Sequence, residues 1–155
     1  MLRPALPADT DRLVQMSDAT AVFKPHEIEA LREVLDDYHA INHEFGHRAM
    51  VWDESGETVG FVYFAPTAMT DRTWELWWIV VAPDRQGGGY GGRMLQEVEA
   101  EVRRVSGRIL LIETSSTALY EPTRGFYDKH GYTSVAEIPD FYADGDGKVI
   151  YSKRP

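Results

Sequence analysis

Val80-Val81-Ala82-Pro83-Asp84-Arg85-Gln86-Gly87-Gly88-Gly89-Tyr90-Gly91-Gly92-Arg93-Met94-Leu95 decides how this chain is read. Five of the six residues from Gly87 to Gly92 are glycine. Trp74 to Ala82, just before, is rich in aromatic and β-branched side chains and ends in a continuous apolar run, the composition of a buried strand. After the glycines, Met94, Leu95, Val98, Val102 and Val105 recur at the spacing of one helix face. A strand, a glycine turn and a helix start make an anion site. Backbone N–H groups converge, the helix dipole adds partial positive charge, and the missing side chains let a phosphate come close. No Gly-Lys-Ser/Thr follows, so a Walker loop is excluded. Gly87-x-Gly89-x-x-Gly92 does fit the dinucleotide fingerprint, with Glu113 at the range of its ribose-binding acid. However, about 80 residues precede the loop and too few follow it to complete a doubly wound sheet of two halves.

Two blocks carry a family resemblance. Gln86-x-x-Gly89-x-Gly91 resembles the acetyl-CoA loop of the GNAT superfamily of N-acetyltransferases, written Gln/Arg-x-x-Gly-x-Gly/Ala. Thr123-Arg124-Gly125-Phe126-Tyr127-Asp128-Lys129-His130-Gly131-Tyr132 is similar to the helix-to-strand block of that family, which ends Phe-Tyr-x-x-x-Gly-Phe/Tyr. The resemblance covers almost the whole chain in order of elements. It implies a single GNAT-like domain over 1–155 and an α+β sandwich. In that fold a central mixed, mostly antiparallel sheet of about seven strands splays after strand four and is flanked by about four helices.

The periodicities predict the same order, βααβββαβαββ. Leu2 to Leu6 opens as a strand, and Asp9 to about Ala19 reads as a helix with Asp9 or Thr10 as cap. Pro25 starts a second helix with Ile28, Leu31, Leu35 and Tyr38 on one face, followed by a loop over 40–46. Strands are predicted over Arg48–Trp52, Val59–Phe64, 73–82, Ile109–Thr114, Val135–Ile138 and Lys148–Ser152. Helices are predicted over 89–105 and from Pro122 to about Lys129, and Pro139 to Gly147 reads as a turn-rich loop.

At 155 residues, 43% hydrophobic and 26% charged, the chain can bury a core as one domain. The absence of cysteine excludes disulfides, thiolate metal sites and a Cys nucleophile. Nothing in the first 30 residues reads as a signal peptide, and no apolar run reaches the ~20 residues of a membrane span. A cytoplasmic location is expected, with no membrane partner. The net charge of −9 disfavours nucleic acid and favours a cationic amine substrate. Arg103, Arg104 and Arg108 read as a solvated helix end. His39, His43 and His47 recur every four residues, but Asn42 and Gly46 break the helix that would align them, so no metal site is expected.

The resemblance also implies roles. The backbone N–H groups of Gln86, Gly87, Gly88, Gly89, Tyr90, Gly91 and Gly92 would hold the pyrophosphate of acetyl-CoA, the acyl donor. Ile79 and Val81 would offer backbone groups to the pantetheine arm and acetyl carbonyl from a strand freed by a bulge. Glu75 stands at the position of the family's catalytic base, among Trp74, Leu76, Trp77 and Trp78. Loss of hydration there would raise its proton affinity, although pairing with Arg72 or Arg48 is the bland alternative. Tyr127 stands at the position of the family's acid, since a phenol stays protonated at neutral pH and can donate to a leaving thiolate. The family's Asn, seven residues before this Tyr, is here Tyr120, and Ser115, Ser116 or Thr117 could take its place. Phe23, Glu27, Tyr38, Trp77, Phe141 and Tyr142 are candidates for the acceptor pocket.

The function so implied is acetyl transfer from acetyl-CoA to a primary amine by direct attack in a ternary complex. The small-molecule amine is the expected partner, and a homodimer stays open. The alternatives are a non-catalytic acyl-CoA-binding sensor, or an acyltransferase acting on a protein N-terminus or lysine.

Overall fold

The computed structural model describes residues 1–155. The elements run β1 Leu2–Pro4, α1 Thr10–Ala19, α2 Pro25–Ala40, β2 Arg48–Glu54, β3 Glu57–Pro66, β4 Thr73–Val81, α3 Tyr90–Arg104, β5 Ile109–Ser115, α4 Glu121–Lys129, β6 Thr133–Ala143 and β7 Asp146–Lys153. The seven strands form one mixed sheet in the order β1-β2-β3-β4-β5-β7-β6, with β4 and β5 parallel. This is the expected α+β architecture. β4 pairs with β5 only from Thr73↔Ile109 to Leu76↔Ile112, then continues to Val81. The predicted splay after strand four is therefore a lapse of register pairing on the β5 side.

The chain divides into two compact units. The first comprises Met1–Pro66 and Trp78–Val98. Its core is built from Leu13, Val14 and Met16 of α1, Leu31, Leu35 and Tyr38 of α2, and Val51, Phe61, Tyr63, Ala65 and Val80 of the strands. These are the one-in-three-or-four positions of two amphipathic helices laid on alternating strand positions. Pro25 opens α2 as predicted, and Lys24 N–H donates to Glu27 Oε1 at 2.9 Å to close its first turn. Asp9 does not cap α1. Its carboxylate accepts from Leu6 N–H at 2.7 Å and pairs with Arg3 at 2.8 Å, because a 3-10 turn over Pro7–Asp9 precedes the helix. The predicted 40–46 loop contains a second 3-10 turn, Asn42–Phe45. Gly60 lies where β3 is pressed closest: a Cβ there would meet Val80 O at 2.7 Å and Met94 Cε at 2.9 Å.

The second unit comprises Thr67–Trp77 and Glu99–Pro155. Trp74, Leu76, Leu110, Ile112, Val149 and Tyr151 are buried, as are Tyr127 and Tyr132. Glu99, also buried, accepts an ion pair from Lys153 and a 3.3 Å hydrogen bond from Tyr132. The 139–147 segment is not the loop that its composition suggests. β6 extends to Ala143, and residues 139–142 loop out between the pairs Ile138↔Lys148 and Ala143↔Asp146. The bulge satisfies both the turn-forming residues and the ladder on either side.

Candidate functional site

The glycine turn lies in the first unit. β4 ends at Val81, Ala82 N–H still bonds Val59 O at 2.9 Å, and a 3-10 turn over Pro83–Arg85 delivers the chain to Gln86. Gly87 and Gly89 have φ of +84° and +79°, a conformation that side chains strongly disfavour. A Cβ at either would meet nothing within 4 Å, so their hydrogens face open space. That is the geometry a closely approached phosphate requires, immediately ahead of the α3 N-terminus at Tyr90. Gly88 differs, since a Cβ there would lie 3.1 Å from the Tyr90 ring.

Two side chains hold this turn, of which sequence reasoning missed Arg93. Gln86 Nε2 donates to Val81 O at 3.3 Å, tying the turn to the strand that feeds it. Arg93, one turn into α3, donates to Gly88 O at 3.0 Å and stacks over Tyr90, with its guanidinium 4.5 Å from the ring centroid. With that carbonyl drawn toward Arg93, the peptide is oriented, and a positive charge sits beside the loop despite the net charge of −9. Its signal was available: a lone Arg directly after the glycines. Ile79 and Val81 are half-buried on either side of buried Val80.

Glu75 lies in the second unit. Strand alternation sends Trp74 and Leu76 to the buried face and leaves Trp77 on the same face as Glu75. Its partners come from other strands. Leu111 is its register neighbour on β5, and Glu113 lies two residues further on the same face. Lys148 reaches the same place from β7, with Nζ 3.0 Å from Glu113 Oε2. Burial pushes the Glu75 carboxyl up to about 7; Glu113, through charge and a hydrogen bond, adds to this, and Lys148 opposes it. The direction and its first cause, burial, match the expectation, and a second carboxylate adds a contribution that was not foreseen. Arg72 pairs with Asp71, and Arg48 donates to Gly46 O.

Tyr127 is 4% exposed on α4, with ring centroids 5.7 Å from Tyr151 and 6.0 Å from Tyr132. Burial drives its phenol well above its ordinary value, so it holds its proton throughout the working range of pH. Tyr120, where the family pattern has Asn, acts on the same phenol. The hydroxyls suggested as substitutes are used locally. Ser115 Oγ donates to Asp146 Oδ1 at 2.6 Å and lies 2.8 Å from Thr117 Oγ1, while Ser116 Oγ accepts from Gly147 N–H at 2.8 Å. Arg124, unremarked in the sequence, donates to both Ser115 O and Thr117 O.

The acceptor candidates separate. Tyr38 is core, Glu27 closes the first turn of α2, and Phe23 packs on Trp78 at 5.0 Å. Trp77, Phe141 and Tyr142 remain between 43% and 49% exposed. His39, His43 and His47 form no cluster of three that could hold a metal ion; His43 Nδ1 lies 2.8 Å from Tyr38 O, and His47 Nδ1 lies 2.6 Å from the Tyr63 hydroxyl. No helix is long and apolar enough to cross a membrane.

The chain belongs to the GNAT acetyltransferase family, whose domain model matches residues 46–134. A GNAT-family protein of Desulfovibrio desulfuricans is 34% identical, with 99% of this chain and 98% of that one aligned at a TM-score of 0.94. An amino-acid acetyltransferase of Ralstonia nicotianae is 29% identical over 132 residues, which cover 83% of this chain but 25% of that protein. This chain thus spans about a quarter of the curated relative it matches. An aminoglycoside 6'-N-acetyltransferase, solved with coenzyme A, shares the fold at 21% identity and a TM-score of 0.76, over 99% of this chain and 96% of that one.

Proposed function

We propose that residues 1–155 act as one acetyl-CoA-dependent N-acetyltransferase domain that acetylates the primary amine of a small molecule by direct attack in a ternary complex. The observation that carries this is the glycine turn: Gly87 and Gly89 hold positive φ with open space where side chains would stand. That is a fit for a pyrophosphate on the backbone N–H groups of Gln86 to Gly92, with Ile79 and Val81 offering backbone groups to the pantetheine arm. When bound, the donor supplies an acetyl group already activated as a thioester.

The chain's own residues manage the protons. A carboxyl that titrates near neutrality, as Glu75 does, is ionised often enough to take a proton from an incoming ammonium and basic enough to hold it. Nitrogen then bonds to the acetyl carbon as the carbon–sulfur bond breaks, and the second proton that nitrogen must lose to become an amide passes to solvent. The sulfur leaves as a thiolate, and Tyr127, which stays protonated, is the candidate to donate to it, against the rise in proton affinity that burial gives its phenol. With no cysteine in the chain, a thioester acyl-enzyme is excluded.

A relative named for amino acids and a structural neighbour named for an aminoglycoside support a small amine as acceptor. The test is a panel of amino acids, aminoglycosides and simple amines offered with acetyl-CoA, reading release of free CoA. Turnover with a small primary amine is the expected result. Tight CoA binding with no turnover on any amine would overturn the catalytic reading, and acetylation of peptides only would overturn the choice of acceptor.

A further inference from the structure

Glu113 was noticed in the sequence only as a ribose-binding acid, a role that the fold leaves without a use. Its place in the structure is more specific. β5 carries it on the same sheet face as Glu75, two residues beyond Leu111, the register partner of Glu75, and its charge acts on the Glu75 carboxyl. A hydrogen bond between two carboxyls needs a proton on one of them. β7 supplies the counter-charge. Lys148 lies one diagonal step from Ile150, the register partner of Glu113, and its Nζ is 3.0 Å from Glu113 Oε2. The ammonium is fixed from the other side by Phe141, whose ring centroid is 3.7 Å from Nζ. Phe141 reaches it because residues 139–142 loop out of the β6–β7 ladder. Only 14% of the Lys148 side chain is exposed. A long flexible cation is thereby held at one carboxylate of the two.

We propose that Glu113 is the positioning partner of Glu75: paired with Lys148, which Phe141 clamps, it accepts a hydrogen bond from Glu75 once Glu75 has taken a proton. The inference rests on the reading of Glu75 as the proton acceptor. In the step it describes, an N–H bond of the acceptor ammonium breaks, the electron pair stays on nitrogen, and the proton ends on a Glu75 oxygen that donates to Glu113. Before the step, repulsion between two ionised carboxylates favours proton uptake; after it, the hydrogen bond retains the proton. The charged groups acting on Glu75 are Glu113 from β5 and Lys148 from β7, and they act in opposite senses. Removing each should therefore have opposite effects.

The test is a titration of the full-length protein labelled with [δ-13C]glutamate, followed by NMR, with the Glu75 signal assigned through Glu75→Gln. The wild-type signal should titrate near 7. Glu113→Gln should lower that midpoint by about one pH unit, and Lys148→Met should raise it. Glu113→Asp should restore part of the wild-type value, which separates pairing from loss of fold. The acidic limb of kcat/KM on an amine found by the panel should move the same way in each variant. A Glu75 midpoint unmoved by Glu113→Gln, or moved in the same direction by both variants, overturns the inference. If Glu75→Gln leaves the pH–rate profile intact, the base assignment fails, and the NMR midpoints still decide whether the pair exists. If Glu75→Gln abolishes the limb while Glu113→Gln leaves it in place, the base assignment stands and this inference falls.

Discussion

Replacing Glu75 by Gln should stabilise the fold at alkaline pH and not at acidic pH. Folding raises the proton affinity of this carboxyl from an ordinary 4.5 to about 7, so between those values the folded state holds a proton that the unfolded state has lost. Stability must then fall as pH rises through that window. The interval sets a ceiling of about 3.5 kcal/mol at ~1.4 kcal/mol per tenfold. Because the carboxyl is only part-buried, solvent screening reduces the expected loss to about 1–2 kcal/mol at pH 8. Gln keeps the shape, can donate its amide to Glu113, and cannot ionise. Urea unfolding of both proteins at pH 4.5, 6 and 8 measures the effect. The wild type should lose about 1–2 kcal/mol relative to the variant across that series. Parallel stability curves would refute the reasoning, because they would mean that Glu75 titrates in the folded chain as it does in the unfolded one.

Gly89→Glu should abolish CoA binding by calorimetry while the protein stays folded, since its side chain would enter the open space ahead of α3 with the wrong charge; unchanged affinity would move the phosphate site elsewhere. The left-handed φ of +79° should also cost about 1–2 kcal/mol of stability, measured by denaturation. Tyr127→Phe should lower kcat by roughly 10²-fold with CoA affinity unchanged, whereas a full-rate enzyme would assign protonation of the thiolate to water. Gly60→Ala should destabilise by about 1–3 kcal/mol without altering the chemistry, because the new methyl meets the Val80 carbonyl and the Met94 side chain; the midpoint of thermal unfolding reports it.

Most of the architecture was legible in the chain because it depends on local periodicity. The faces of α1, α2 and α3, the alternating strands and the glycine turn each span fewer than about twenty residues, and pattern alone specifies them. Pattern was weaker where local preference met tertiary pairing. Residues 139–147 carry the composition of a loop, yet the ladder with β7 draws most of them into β6 and leaves only a bulge. Asp9 looked like a helix cap, but Arg3, six residues back, claims its carboxylate together with Leu6 N–H.

The sequence by itself determined the family and the glycine turn, since these lie in contiguous motifs, and it singled out Glu75 and Tyr127 as candidates. Only the tertiary structure decided what surrounds them. Glu75, Glu113 and Lys148 are 38 and 35 residues apart in the chain and meet because β5 lies between β4 and β7 in the sheet. Proton affinity depends on charges and burial within a few ångströms. Sheet order, which no local pattern encodes, sets those distances.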